Sequence, residues 1–214
     1  RQLTFSLPSW APTQEAEPTP AHKDVLGDSL GLCCDYIKQR IKRSNVPTAR
    51  KAAQAALDYS GPPDVGPLVT ACARDIETGH PDAYVNVCSR LGVKLNTVAA
   101  LQDVYAHLAG CLLLGNELTW GKVMALFALT GALAMDCVRQ QRETYIGSLM
   151  EAFTEYVSTY VCPWIIAQGG WASFARQFEQ ENPEDDLQAI RVGSLVGAII
   201  ICGIIVIIII IAIL

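Results

Sequence analysis

Histidine is nearly absent from this chain of 214 residues, with His22, His80 and His107 the only three. None has a carboxylate or a nucleophile at motif spacing, and there is no glycine-rich phosphate loop, so an enzyme is not expected. The eight cysteines, at 33, 34, 72, 88, 111, 137, 162 and 202, form no C-x-x-C pair and have no histidine at ligand spacing, which excludes the usual zinc sites. No metal and no cofactor is implied. Six of these cysteines lie inside apolar helical patterns, where Cys acts as a small hydrophobe, and a reducing cytosolic compartment suits them better than a disulfide framework. Charge is thin as well. Sixteen Lys and Arg stand against 21 Asp and Glu for a net charge of −5, with no basic stripe to meet a phosphate backbone, so nucleic acid is not expected as a partner. The cluster Lys38, Arg40, Lys42 and Arg43 reads as the wet face and C-terminal end of a helix, where cations oppose the helix dipole. Strand alternation, hairpin turns and repeats are missing. Residues 1–21 carry Pro8, Pro12, Pro18 and Pro20 and no sustained apolar run, so no secretory signal is expected there, and 1–23 is expected to be disordered.

What the chain has in quantity is apolar length. Residues 192–214 contain no charged side chain, and eleven of the last sixteen positions are Ile. A helix of that length reaches about 34 Å, enough to cross a hydrocarbon core of about 30 Å. Its isoleucines alone favour insertion by roughly 3 to 7 kcal/mol. The expectation is a transmembrane tail anchor at 192–214, behind an acidic, proline-containing linker at 181–191. A second apolar stretch lies at 120–138, where Lys122 and Asp136 are the only charges. It is about 28 Å long as a helix, and a helix without a wet face is either wrapped by other helices or able to lie in lipid. We take it as the central helix. A helix over 144–161 then sets Ile146, Leu149, Met150, Phe153, Val157 and Val161 on one face, opposite Glu151 and Glu155, and completes a hairpin.

The remaining patterns are amphipathic. Residues 24–45 place Leu26, Leu30, Cys33, Ile37 and Ile41 at helical steps, and a long connection follows, broken by Gly61-Pro62-Pro63. Val65, Val69, Cys72 and Ile76 form a narrow stripe on an otherwise polar helix that stops near Gly79 and Pro81. Such stripes dock into grooves, and an ordinary core face is the competing reading. A short helix is expected over 82–91. Asn96 or Thr97 caps the next helix, whose stripe is Val98, Leu101, Tyr105, Leu108 and Leu112. Pro163-Trp164-Ile165-Ile166 starts another turn or two, Gly169-Gly170 interrupts it, and Trp171, Phe174 and Phe178 resume. The fold class is all-α, with seven to nine helices around one buried helix in a single domain over 24–180.

The motifs Thr119-Trp120-Gly121-Lys122, ahead of Val123-Met124-Ala125-Leu126, and Pro163-Trp164 through Gly169-Gly170-Trp171 about 45 residues later resemble the first and second homology motifs of the Bcl-2 family of apoptosis regulators. The likeness covers roughly 24–214. The stretch from Tyr36 to Arg43 and the run Asp136-Cys-Val-Arg-Gln140 look most like a pro-apoptotic effector branch of it.

The resemblance implies a helical bundle around the central hairpin, with a surface groove near the first motif that receives the third homology helix of a partner. Val65, Val69, Cys72 and Ile76 stand where the four anchors of such a helix belong. Two departures stand out. Ala73-Arg74 replaces the Gly-Asp that usually follows the third anchor, with Asp75 one place late, and Lys122 stands where relatives carry the groove's Arg. An ammonium cannot form the bidentate fork to a carboxylate, so the usual charge pairing is lost and Arg74 facing Lys122 would be repelled. Trp120 and Trp171 also read as core aromatics whose indole N–H groups need partners.

The function implied is regulation of apoptosis through other family members, self-association and the lipid membrane. The leading form is an effector that oligomerises and permeabilises the outer mitochondrial membrane. The alternative is a pro-survival groove protein that sequesters pro-apoptotic homology helices. The tail anchor implies a cytosol-facing protein on the mitochondrial outer membrane or the endoplasmic reticulum.

Overall fold

The computed structural model describes residues 19–44, 57–113 and 117–180. Helix α1 (Pro20–Arg43) starts four residues before the expected 24–45 helix and takes in the last residues of the segment expected to be disordered. The reason is local. Pro20 occupies the first helical turn, where its missing N–H is no loss, and the Thr19 hydroxyl caps that turn by accepting from the His22 backbone N–H at 3.3 Å. The inner face of α1 is centred on Val25, Leu32, Cys33, Tyr36 and Ile37, leaving Leu26 and Leu30 only half-buried. Arg40 corrects the reading of a solvated basic cluster, because it sits on that inner face at 5% exposure.

Four helices follow before the central one: α2 (Gly66–Gly79), α3 (Pro81–Tyr84), α4 (Val87–Arg90) and α5 (Val98–Leu113). The single helix expected over 82–91 is split into α3 and α4 because Asn86 adopts a left-handed conformation with φ 54° between them. Thr97, not Asn96, caps the start of α5, accepting from the Ala100 N–H at 3.1 Å. The central helix α6 (Trp120–Arg139) is buried from Trp120 through Val138 and is sheathed by α1, α2, α5 and the next long helix.

After a turn of 3₁₀ helix at Glu143–Tyr145, the second arm of the hairpin runs as α7 (Ile146–Tyr156), a π-helical segment (Val157–Val161) and α8 (Cys162–Ala167) without interruption. The expected helix start at Pro163 is therefore a mid-helix site. A proline ring there removes one donor and crowds the carbonyl four residues back, and the chain responds by widening, with the Cys162 N–H bonding Val157 O five residues away. Helix α9 (Trp171–Gln180) closes the domain. Counting the bent arm once gives eight helices, within the expected seven to nine, and no strand among the described residues. The expected linker and tail anchor at 181–191 and 192–214 lie outside the described residues. Among those described, α6 is the one helix long and apolar enough to cross a membrane, at 20 residues with an 18-residue stretch of mean hydropathy 1.5 that is wholly buried.

Close approach of α1 to α6 depends on Gly131, where a Cβ would meet Tyr36 Cε1 at 2.5 Å and the Arg40 guanidinium at 3.2 Å. Gly131→Ala gains about 1 kcal/mol of helix propensity. Overpacking of about 1 to 3 kcal/mol outweighs it, so urea denaturation should show a net loss. Burial also raises several thiols from an ordinary value of 9.0, Cys34 to about 11 and Cys88 and Cys162 to about 12. Their folded pKa values lie above the unfolded ones, so the stability they contribute is complete below pH 9 and lost as pH rises toward 11 and 12. Thermal melts in reductant should hold level to about pH 8.5 and then fall steeply. A midpoint that stays level through pH 11 would contradict this burial.

Candidate functional site

The two sequence motifs meet in one aromatic cluster. Thr119 caps α6, its hydroxyl accepting from the Lys122 N–H at 3.3 Å, which fixes where Trp120 leaves the helix start. The Trp120 ring packs against Trp164 at 4.9 Å, Trp171 at 5.5 Å and Phe174 at 5.0 Å between centroids. Trp171 in turn meets Phe127 at 5.8 Å. Gly169 and Gly170 turn the chain from α8 into α9 with φ values of 92° and 78°, a region that suits glycine and strains other residues. That turn is what brings Trp171 back onto Trp120. Pro163 itself is exposed and Gly121 is buried in α6. The Trp171 indole finds its partner in Ser29 of α1, donating to Oγ at 3.0 Å while Ser29 donates to the Val25 carbonyl at 2.6 Å. Ser29 was not legible as a site residue, since a serine in a helix usually faces water.

The stripe of α2 points into this chain's own core. Val65, Val69, Cys72 and Ile76 are all buried, while Arg74 on the opposite side is exposed. In this structure the four residues form part of the core. Lys122 is buried at 5% exposure, and its Nζ donates to the Glu117 carbonyl at 2.8 Å. The ammonium is thus turned back onto its own chain. Among the described residues Tyr59, at 56%, is the one large hydrophobic side chain left exposed.

Two polar junctions were missed by pattern reading, because each joins residues far apart in sequence. In the first, Arg40 Nη2 lies 3.0 Å from Glu77 Oε1 of α2 and donates to the Tyr84 carbonyl at 2.9 Å, and Nη1 donates to the Ala128 carbonyl of α6 at 3.2 Å. The Tyr36 hydroxyl donates to the other Glu77 oxygen at 2.7 Å. In the second, buried Asp136 accepts from the Cys88 N–H at 2.7 Å and from Arg139 at 3.0 Å, while the Gln140 side chain accepts from the Leu95 N–H at 2.8 Å. The run from Asp136 to Gln140 thereby pins the segment around α4 to the end of the central helix.

Residues 69–171 match the family described as apoptosis regulator proteins, Bcl-2 family. The Bcl-2-related ovarian killer protein of Gallus gallus is 24% identical over 165 residues, covering 77% of each chain. Its Homo sapiens counterpart is 27% identical over 175 residues, again covering 77% of each. The crystal structure of chicken BOK superimposes with a TM-score of 0.63 at 25% identity, covering 74% of this chain and 99% of that one. A Trichoplax adhaerens protein, trBcl-2L2, solved bound to trBak BH3, shares the fold with a TM-score of 0.55 at 19% identity, covering 76% of this chain and 99% of that one.

The Trp171–Ser29 bond ties α9 to α1 across the aromatic cluster. Ser29→Ala should leave the buried indole N–H without a partner and lower unfolding free energy by about 1 to 3 kcal/mol, read from a urea titration monitored by tryptophan fluorescence.

Proposed function

The chain belongs to the Bcl-2 family of apoptosis regulators, and from that premise we propose that it is a pro-apoptotic effector of the Bok type, which oligomerises and permeabilises the outer mitochondrial membrane. The observation that carries this reading is α6, a 20-residue helix apolar on every side and enclosed by amphipathic helices. Laid out, it reaches about 30 Å, the thickness of a hydrocarbon core. The hairpin of α6 and α7 redistributes into lipid once its sheath opens, and residues 192–214 concentrate the protein at the membrane from the cytosolic side. It acts by disrupting lipid, without a chemical step.

The likeness to ovarian killer proteins over three quarters of the chain supports the effector branch. Engagement of other family members runs through a homology helix and a groove, a mode supported by the BH3 segment bound to the Trichoplax relative. On this chain the helix face is Val65, Val69, Cys72 and Ile76. The groove is framed by the first motif, Thr119 to Lys122, and by the second, Pro163 and Trp164 with Gly169 to Trp171. Because the Lys122 ammonium donates to the Glu117 main-chain carbonyl and Arg74 replaces the usual acid, contact rests on apolar burial more than on an ion pair.

Full-length protein added to dye-loaded liposomes of outer-mitochondrial lipid composition should release dye with a dose dependence steeper than first order. No leakage at any dose, together with protection of the liposomes against another effector, would replace this reading with that of a pro-survival groove protein.

A further inference from the structure

The exposed cations of the described residues gather at one end of the domain. Helices α1 and α6 run the same way: near the start of α1, His22 Nε2 donates to the Ser158 carbonyl at 2.9 Å, at the end of the hairpin where Trp164 covers Trp120. Their C-terminal turns therefore finish side by side, with Lys42 and Arg43 on one and Arg139 on the other. Burial is the main force lowering the Arg40 pKa, and the charges of Arg139 and Arg43 push the same way, which places these three together. The segment between α4 and α5 joins them. Asp136 holds both Arg139 and the N–H of Cys88, two residues before Arg90, and Arg142 Nε donates at 3.3 Å to the carbonyl of Leu95, next to Lys94. Lys42, Arg43, Arg90, Lys94, Arg139 and Arg142 are all exposed, and only Lys23, Arg74 and Arg176 are exposed cations elsewhere among the described residues.

Asp82, Asp136 and Glu143 stand among the six, which leaves this end net positive, and Glu77 is matched by Arg40. The opposite end shows Asp24, Glu117 and Glu155 to water. A chain of net charge −5 thus carries a cationic end. No basic stripe is visible in the sequence because three separate segments supply the cations. Opposition to helix dipoles accounts for Lys42, Arg43, Arg90 and Arg139. It does not account for Lys94 and Arg142, which stand outside helices.

We propose that this end of the domain is a docking surface for anionic phospholipid headgroups. The charges are spread over an open surface, which suits a plane of many headgroups better than one enclosed anion. They also surround the end of the one described helix long and apolar enough to cross a membrane. Each Lys or Arg held near an anionic surface strengthens attachment about fivefold, provided it comes within a Debye length of about 10 Å. The proposal deepens the function proposed above by naming the lipid class, and it rests on that reading for the presence of a membrane.

Full-length protein is mixed with vesicles carrying a dansyl lipid, and energy transfer from tryptophan gives the association rate. Residues 192–214 have no charged side chain, so their contribution is the same on neutral and anionic vesicles. At a net charge of −5, a protein without an oriented cationic end would be repelled by phosphatidylserine. Association should instead be roughly tenfold faster with vesicles containing phosphatidylserine than with phosphatidylcholine alone, and added salt should erase the difference. Arg43→Gln combined with Lys94→Gln should remove most of this preference. Lys23→Gln combined with Arg176→Gln changes the net charge equally from other parts of the surface and should keep it. All four side chains are exposed, so both pairs should leave the urea midpoint in place. Equal rates on the two vesicles, or equal losses from the two pairs of substitutions, would overturn the proposal. So would suppression by inorganic phosphate beyond that of chloride at matched ionic strength, which would mark a site for a single small anion. Charge-selective association in protein that never releases liposome dye would refute the effector reading and leave the docking surface standing.

Discussion

A helix with no polar face has to be enclosed on every side, and α6 imposes that requirement on the whole chain. Residues 120–138 are all buried, so four helices must present apolar faces to one cylinder at once. This explains why the surrounding helices are narrow-striped: each covers only a sector of α6 and leaves its remaining surface to water. It explains Gly131 as well, since α1 reaches the cylinder only where a side chain is missing. The aromatic cluster has the same origin. At the N-terminal end of α6, where the sheath would otherwise be open, Trp164, Trp171 and Phe174 fold back over Trp120.

Enclosing such a helix forces polar groups inward, and the chain satisfies them from the backbone. Arg40 bonds two main-chain carbonyls besides Glu77, Asp136 accepts a main-chain N–H, Thr130 donates to the Leu126 carbonyl, and Lys122 donates to that of Glu117. Buried charges treated in this way add little net stability, because desolvation offsets most of the attraction. Their effect is positional. Arg40 fixes α1, α2, α6 and the end of α3 relative to one another, and removing any one of those elements leaves the guanidinium short of a partner.

Periodicity made the second arm of the hairpin legible because nothing local competes with it there, whereas the first arm was legible from its unbroken apolar length. The six apolar residues Ile146 to Val161 fall on one buried face, with Glu151 and Glu155 exposed, as their spacing requires. Periodicity failed where a local rule overrode it. Pro20 reads as a breaker in a proline-rich segment, yet one residue after Thr19 it is a favourable first-turn residue. Pro163 reads as a helix start, yet a change to π-helical register carries the helix through it. Arg40 fails for a different reason: nothing local tells a cation on a basic stretch that a carboxylate 37 positions later will meet it. The two homology motifs were legible as strings, whereas Ser29, the residue that satisfies their shared tryptophan, comes from the far end of the domain.

The stripe on α2 carries the remaining tension, because the proposed function asks one set of side chains, buried in this chain's own core, to serve a second use. Val65, Val69 and Ile76 each gain roughly 1.5 to 3 kcal/mol from leaving water, wherever the apolar surface that covers them lies. Docked, that surface is α1 and α6 of the same chain. Were α2 to leave, the gain would be forfeited until another apolar surface took the stripe, so an unpartnered open state would be short-lived. On the proposed function a partner need not bind the closed protein at all. It has only to be present when α2 is out, and its affinity then sets the direction of an equilibrium whose closed side is weighted by burial and by the contacts to Glu77. Arg74, on the outer side of α2, is exposed. Against a partner its charge would favour an acidic rim over a basic one.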